Sequence, residues 1–208
     1  MRAARKNTNR IRQALAIGVV AAAAVFSGCK TSGSSGTLDI LGPSDETAEA
    51  AKLVAEANED LSKIKVLYKN NENKREELKK AMEANEAEKV KKIADDVVYL
   101  INDGFDSGKS AVDKIEKAQE MQLNDDYREY LRLKEESLKR QMEAFENYRQ
   151  AARSLRDNYD PKNAQQREKV KEEFKTRSEN YAKIMEEARD FSNRANELAK
   201  EALRKQQD

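Results

Sequence analysis

From Val54 onward, apolar side chains recur every seven residues in two adjoining stripes, and this spacing excludes almost every architecture except packed helices. The first series runs Val54, Leu61, Tyr68 and Met82, interrupted at Arg75, beside Ala57, Ile64 and Leu78, interrupted at Asn71. A second runs Val90, Val97, Gly104, Ala111 and Ala118 beside Ala94, Ile101, Gly108 and Ile115. A third has Leu131, Leu138, Phe145, Ala152 and Tyr159, flanked by Tyr127, Tyr148 and Leu155. In the fourth, Val170, Ile184, Phe191 and Leu198 stand beside Phe174, Tyr181, Ala188, Ala195 and Ala202. Residues 44–208 hold 34 Lys and Arg against 38 Asp and Glu. So charged a segment is either disordered or built of long amphipathic helices, and the seven-residue repeat decides for helices.

The helix ends are also signalled. Ser44, followed by Asp45 and Glu46, suits an N-cap and an acidic first turn. Asn85 marks the first turn, between the first and second helices, and "LNDD" (Leu123 to Asp126) supplies a break and a new cap. "NYDP" ends the third helix, with Asp160 predicted as cap and Pro161 at the first position of the fourth. The helices are therefore expected at about 44–83, 86–122, 125–159 and 161–206. Short connections make neighbours antiparallel, which predicts an all-α, elongated, coiled-coil-like four-helix bundle with up-down-up-down topology. An open array of hairpins that completes its core by homo-oligomerisation is the alternative. The polar run "KNNENKREE", Lys69 to Glu77, is read as helix, with a hinge as its alternative.

The N-terminus is organised differently. Residues 1–12 carry Arg2, Arg5, Lys6, Arg10 and Arg12 and no acid, residues 14–26 are uncharged and rich in Ala and Val, and Ser27 and Gly28 precede Cys29, the single cysteine. This order is that of a secretory signal peptide. The apolar run of 13 residues is shorter than the roughly 20 a spanning helix needs. "VFSGC" resembles the lipobox of bacterial lipoproteins, with Phe26 where that family most often has Leu. The resemblance covers residues 1–30. It implies cleavage by signal peptidase II between Gly28 and Cys29 and a diacylglycerol on the Cys29 sulfur. It also implies that Lys30, in place of Asp, carries no inner-membrane retention signal, so the protein is expected on the outer membrane, facing the periplasm, where a cell has two membranes. A thiolate is a strong nucleophile toward such a lipid donor, and two or more chains are what stable anchoring requires. An ordinary secreted protein cut after Ala24 or Ser27 is the competing reading. The chain thus divides into a signal peptide (1–28), an acylated cysteine with a Gly/Ser tether (29–43) and the bundle (44–208). In the tether, Leu38, Ile40 and Leu41 either pack on the bundle base or enter the lipid interface.

The residues predict no catalytic centre. Without its first 28 residues the chain has 35 Lys and Arg against 39 Asp and Glu, a mildly acidic balance that argues against nucleic acid as a partner. There is no histidine, so imidazole catalysis and the commonest transition-metal ligand are excluded. Adjacent carboxylates such as Asp95–Asp96 and Glu135–Glu136 diverge around a helix, so no metal and no cofactor is expected. "GFDSGKS", Gly104 to Ser110, has one residue too few for a phosphate-binding P-loop and follows no strand. Gly104 and Gly108 instead fall on a buried seam. Counting from the helix ends places Gln141 and Arg177 at about the same height, so Arg177 is expected to cross the core above the glycines and meet Gln141 or a nearby carboxylate in a mid-bundle polar layer. The seven tyrosines are expected mostly as core filling with hydroxyls at the rim.

Together these features point to a non-enzymatic, lipid-anchored envelope protein that acts as a scaffold or binds an unidentified envelope protein. The alternative is a periplasmic carrier of a small molecule or lipid held between the helices.

Overall fold

The computed structural model describes residues 46–205, with the side chains of Leu203 and Lys205 excepted. The lipobox, the tether, the Ser44 cap and residue 206 lie outside the described residues. Four helices account for nearly all of the rest: α1 (Thr47–Glu83), α2 (Ala87–Gln119), α3 (Asp125–Asn158) and α4 (Ala164–Lys205). The protein is an all-α four-helix bundle in which α1 packs on α2, α2 on α3 and α3 on α4, each antiparallel to its neighbour. The shortest helix has 33 residues and the longest 42, roughly 50 to 63 Å. Lys69 to Glu77 is continuous helix inside α1 and not a hinge.

The connections show how the chain turns. The α1–α2 turn is a Schellman motif: Glu86 N–H donates to Ala81 O at 3.0 Å and Asn85 N–H to Met82 O at 3.3 Å. Asn85 adopts φ 55°, the left-handed conformation such a motif requires, and sits in the expected turn between α1 and α2. The expected cap of α3 forms, since Asn124 Oδ1 accepts from Tyr127 N–H at 2.8 Å. The expected start of α4 is displaced. Asp160 Oδ1 accepts from Lys162 N–H in a local turn, and the helix is capped by Asn163, whose Oδ1 accepts from Gln166 N–H at 3.0 Å. Pro161 therefore sits in the turn and not at the first helical position.

The core has two parts. One, toward the α1–α2 and α3–α4 turns, joins all four helices through residues such as Leu78, Met82, Val97, Ile101, Tyr148, Leu155, Val170 and Tyr181. The other, toward the α2–α3 turn, draws on α1, α2 and α3: Ala50, Val54, Ala111, Ile115, Leu131 and Leu138. The seam residues read from the sequence supply both. Tyr99 is the exception among the tyrosines, lying on the surface at 66% exposure.

Asp60 bridges the α1–α2 interface at 5% exposure. Its carboxylate accepts from Lys114 Nζ at 2.6 Å and from Lys63 Nζ at 2.9 Å. These lysines, with Ser110, hold its carboxyl well below the usual carboxylate range.

Candidate functional site

The two residues that interrupt the first apolar seam, Asn71 and Arg75, form the middle of the bundle. Arg75 leaves α1 and lays its guanidinium carbon 5.2 Å from the ring centre of Tyr148 on α3 and 5.0 Å from that of Tyr181 on α4. A cation over aromatic faces is attracted by their electron density, the more so when shielded from water. The rings touch one another as well: Tyr148 lies 5.4 Å from Tyr181 and 5.7 Å from Phe174, and Phe145 lies 6.2 Å from Tyr181 and 6.3 Å from Tyr68. Burial pushes the Tyr148 and Tyr181 hydroxyls up in pKa. The buried Tyr148 hydroxyl has no hydrogen-bond partner among the described residues. Asn71, 3% exposed, likewise has an unpartnered Oδ1. It lines a cavity of about 10 Å³ beside Ile64, Tyr68, Gly104 and Phe145, room for about one water molecule.

A second polar group lies lower in the bundle. Lys134 is on the same seven-residue stripe of α3 as Tyr148, and its Nζ donates to Asn58 Oδ1 of α1 at 2.9 Å. It also stands 5.5 Å from the ring centre of Tyr130, which stacks on Tyr127 at 5.7 Å. Burial lowers the Lys134 ammonium to about 8 and pushes the Tyr130 hydroxyl up to about 12.

The polar layer expected from Gly104, Gly108, Gln141 and Arg177 does not form. Arg177 stays at the α3–α4 surface, donating to Glu173 Oε1 at 3.0 Å and to Gln150 Oε1 at 2.6 Å. Gln141 instead donates to Ser137 Oγ at 3.2 Å, and that hydroxyl donates to Ala188 O across the α3–α4 contact at 2.8 Å. Gly108 receives Met142, whose Sδ would lie 3.1 Å from an added Cβ, while at Gly104 the nearest atom would be Leu67 Cδ1 at 3.7 Å, an ordinary contact. The whole "GFDSGKS" segment is helix, so no phosphate-binding loop exists there. Gly104→Ala is therefore expected to stabilise the fold by about 1 kcal/mol, because it removes the glycine penalty of a helix interior without a clash. Thermal and urea unfolding measure this, with Gly108→Ala expected to gain less.

What sequence reasoning missed, Arg75, Asn71 and Lys134, carried one signal: each is a polar residue on an apolar seven-residue stripe. Among the described residues no group of three or more Asp, Glu, Cys or His side chains is placed to hold a metal ion. Among them, too, no helix is long and apolar enough to cross a membrane. No protein-family model, curated protein or solved structure matches the chain.

Proposed function

We propose that the chain is a lipid-anchored envelope protein whose helical bundle serves as a non-enzymatic scaffold and partner-binding body. The observation that carries the choice of scaffold over carrier is the packing between the helices. A ligand held in a bundle needs a pocket of roughly 300 Å³ or more, whereas the space between the helices at Gly104 is about 10 Å³. The depression beside Arg177 is an open surface feature, lined by Lys169, Glu172, Glu173, Thr176, Arg177 and Asn180 of α4 alone. Long helices with packed interiors and charged exteriors present extended faces, which suit binding of another protein.

The anchor rests on the "VFSGC" resemblance, and Cys29 is the acyl acceptor in this reading. Metabolic labelling with a palmitate analogue tests it. The parent protein is expected to take up label and Cys29→Ala to lose it; an unlabelled parent overturns the anchor. Crosslinking in intact cells tests the scaffold: recovery of a specific protein supports it, and a bound small molecule or lipid recovered with the purified protein would move the reading to a carrier.

A further inference from the structure

Three sides of the bundle neutralise their charges across the helix contact. Lys114 pairs with Asp60 and Lys74 with Asp96 between α1 and α2. Lys139 pairs with Glu116 and Arg156 with Asp95 between α2 and α3, and Arg140 approaches Glu187 between α3 and α4. The α1–α4 side is different. The two backbones make few close approaches there, and the side chains of Tyr68, Arg75 and Tyr181 line the middle of that side.

Two cations stand along this side. Arg75 lies at the junction of α1, α3 and α4, over Tyr148 and Tyr181. Lys134 reaches Asn58, which is on the flank of α1 turned away from Asp60 and Lys74, the residues that face α2. Both are partly buried. Among the described residues their neighbours are aromatic rings, the Tyr148 hydroxyl and an amide, with no carboxylate in salt-bridge reach of either. A desolvated cation without a counter-charge is costly, and an incoming carboxylate offsets that cost. Their spacing is informative too. Lys134 and Tyr148, the floor beneath Arg75, are two heptads apart on one stripe of α3, about 21 Å along the axis.

We propose that the α1–α4 side is a docking groove for an acidic amphipathic helix of a partner protein, which sets two carboxylates, two heptads apart, against Arg75 and Lys134. The inference rests on the partner-binding reading above and specifies the chemistry of the partner. The occupant is a helix because the gap runs between two helices, and the half-buried Leu61, Tyr127, Tyr130 and Met185 offer apolar surface for its seam.

The test uses the full-length chain and a labelled three-heptad peptide with a Leu seam and two Glu residues two heptads apart. Anisotropy titration is expected to show binding that weakens with salt. A peptide with Gln at both Glu positions is expected to bind at least about tenfold more weakly, as is the original peptide with the Arg75→Gln, Lys134→Gln double variant. The conservative pair Arg75→Lys, Lys134→Arg retains binding and guards against a folding defect. Equal binding of the Glu and Gln peptides overturns the proposal, and so does absence of binding by either. Self-association of the chain that the double variant abolishes would also overturn it, by making a second copy the occupant. If cell crosslinking recovers a partner whose contact segment is neutral or basic, the scaffold reading stands and this inference falls.

Discussion

Tyr148→Ala is expected to lower the unfolding free energy by about 3 to 5 kcal/mol, the range for deleting a buried aromatic side chain. Tyr148→Phe is expected to leave it unchanged or raise it by about 1 kcal/mol. The ring is 1% exposed and meets Phe174, Tyr181 and Arg75, so its removal opens a cavity where three helices join and strips one face from a guanidinium. The hydroxyl, by contrast, is buried without a well-formed hydrogen bond, and the nearby Arg75 guanidinium offsets only part of its desolvation. Urea unfolding of both variants at equal m-value separates the two contributions. A Phe variant as unstable as the Ala variant would show that the hydroxyl holds a bond essential to the core.

Asp60→Asn is the second large effect, an expected loss of roughly 1.5 to 3 kcal/mol at neutral pH, the range for a hydrogen bond to a charged group. The carboxylate is almost fully buried, but Lys114 and Lys63 are partly solvated, which keeps the loss below that of breaking a fully buried pair. The pH dependence follows from the direction of the shift. The folded-state carboxyl lies below the value of about 3.9 for an unfolded Asp. Its stabilisation is therefore full above that unfolded value and is lost as pH falls toward the folded one. The parent is expected to lose stability more steeply than Asp60→Asn between about pH 5 and pH 3. Other ion-paired carboxylates, including Glu129, Glu173 and Asp157, titrate alike in both proteins, so the difference between the two curves belongs to Asp60. Parallel curves would remove the Asp60 ion pairs as a source of stability.

The helices could be read from the chain because their seams are long and regular, and because Asn124 directly precedes two acidic residues that suit a first turn. The start of α4 could not. Asp160 and Asn163 have equal cap chemistry, and the choice falls to Tyr159, which is buried in extended backbone with its hydroxyl 3.2 Å from Asn85 Oδ1. That connection delays α4 by three residues, from the predicted 161 to Ala164, and moves every α4 residue relative to α3. Arg177 sits beside Gln150, nine residues from the expected Gln141 and more than that delay alone accounts for, with Glu173 as its carboxylate partner. The bundle does have a polar middle, but α1 supplies it. A seven-residue pattern shows which residues face inward; it does not show which inward polar residue finds aromatic rings to lie on. Nothing in the sequence indicated that Lys134 would lack a carboxylate, because that depends on which helix flank faces the α1–α4 gap.

Asn85 does more than turn the chain between α1 and α2. Its side-chain oxygen is within 3.2 Å of both the Tyr159 hydroxyl and Lys171 Nζ, so one amide clasps the two hairpins together at their turns. At the opposite end the shared core, among the described residues, draws on α1, α2 and α3. The two hairpins are thus joined at their turns through a single side chain, and loss of that one amide would cut two bonds between them at once.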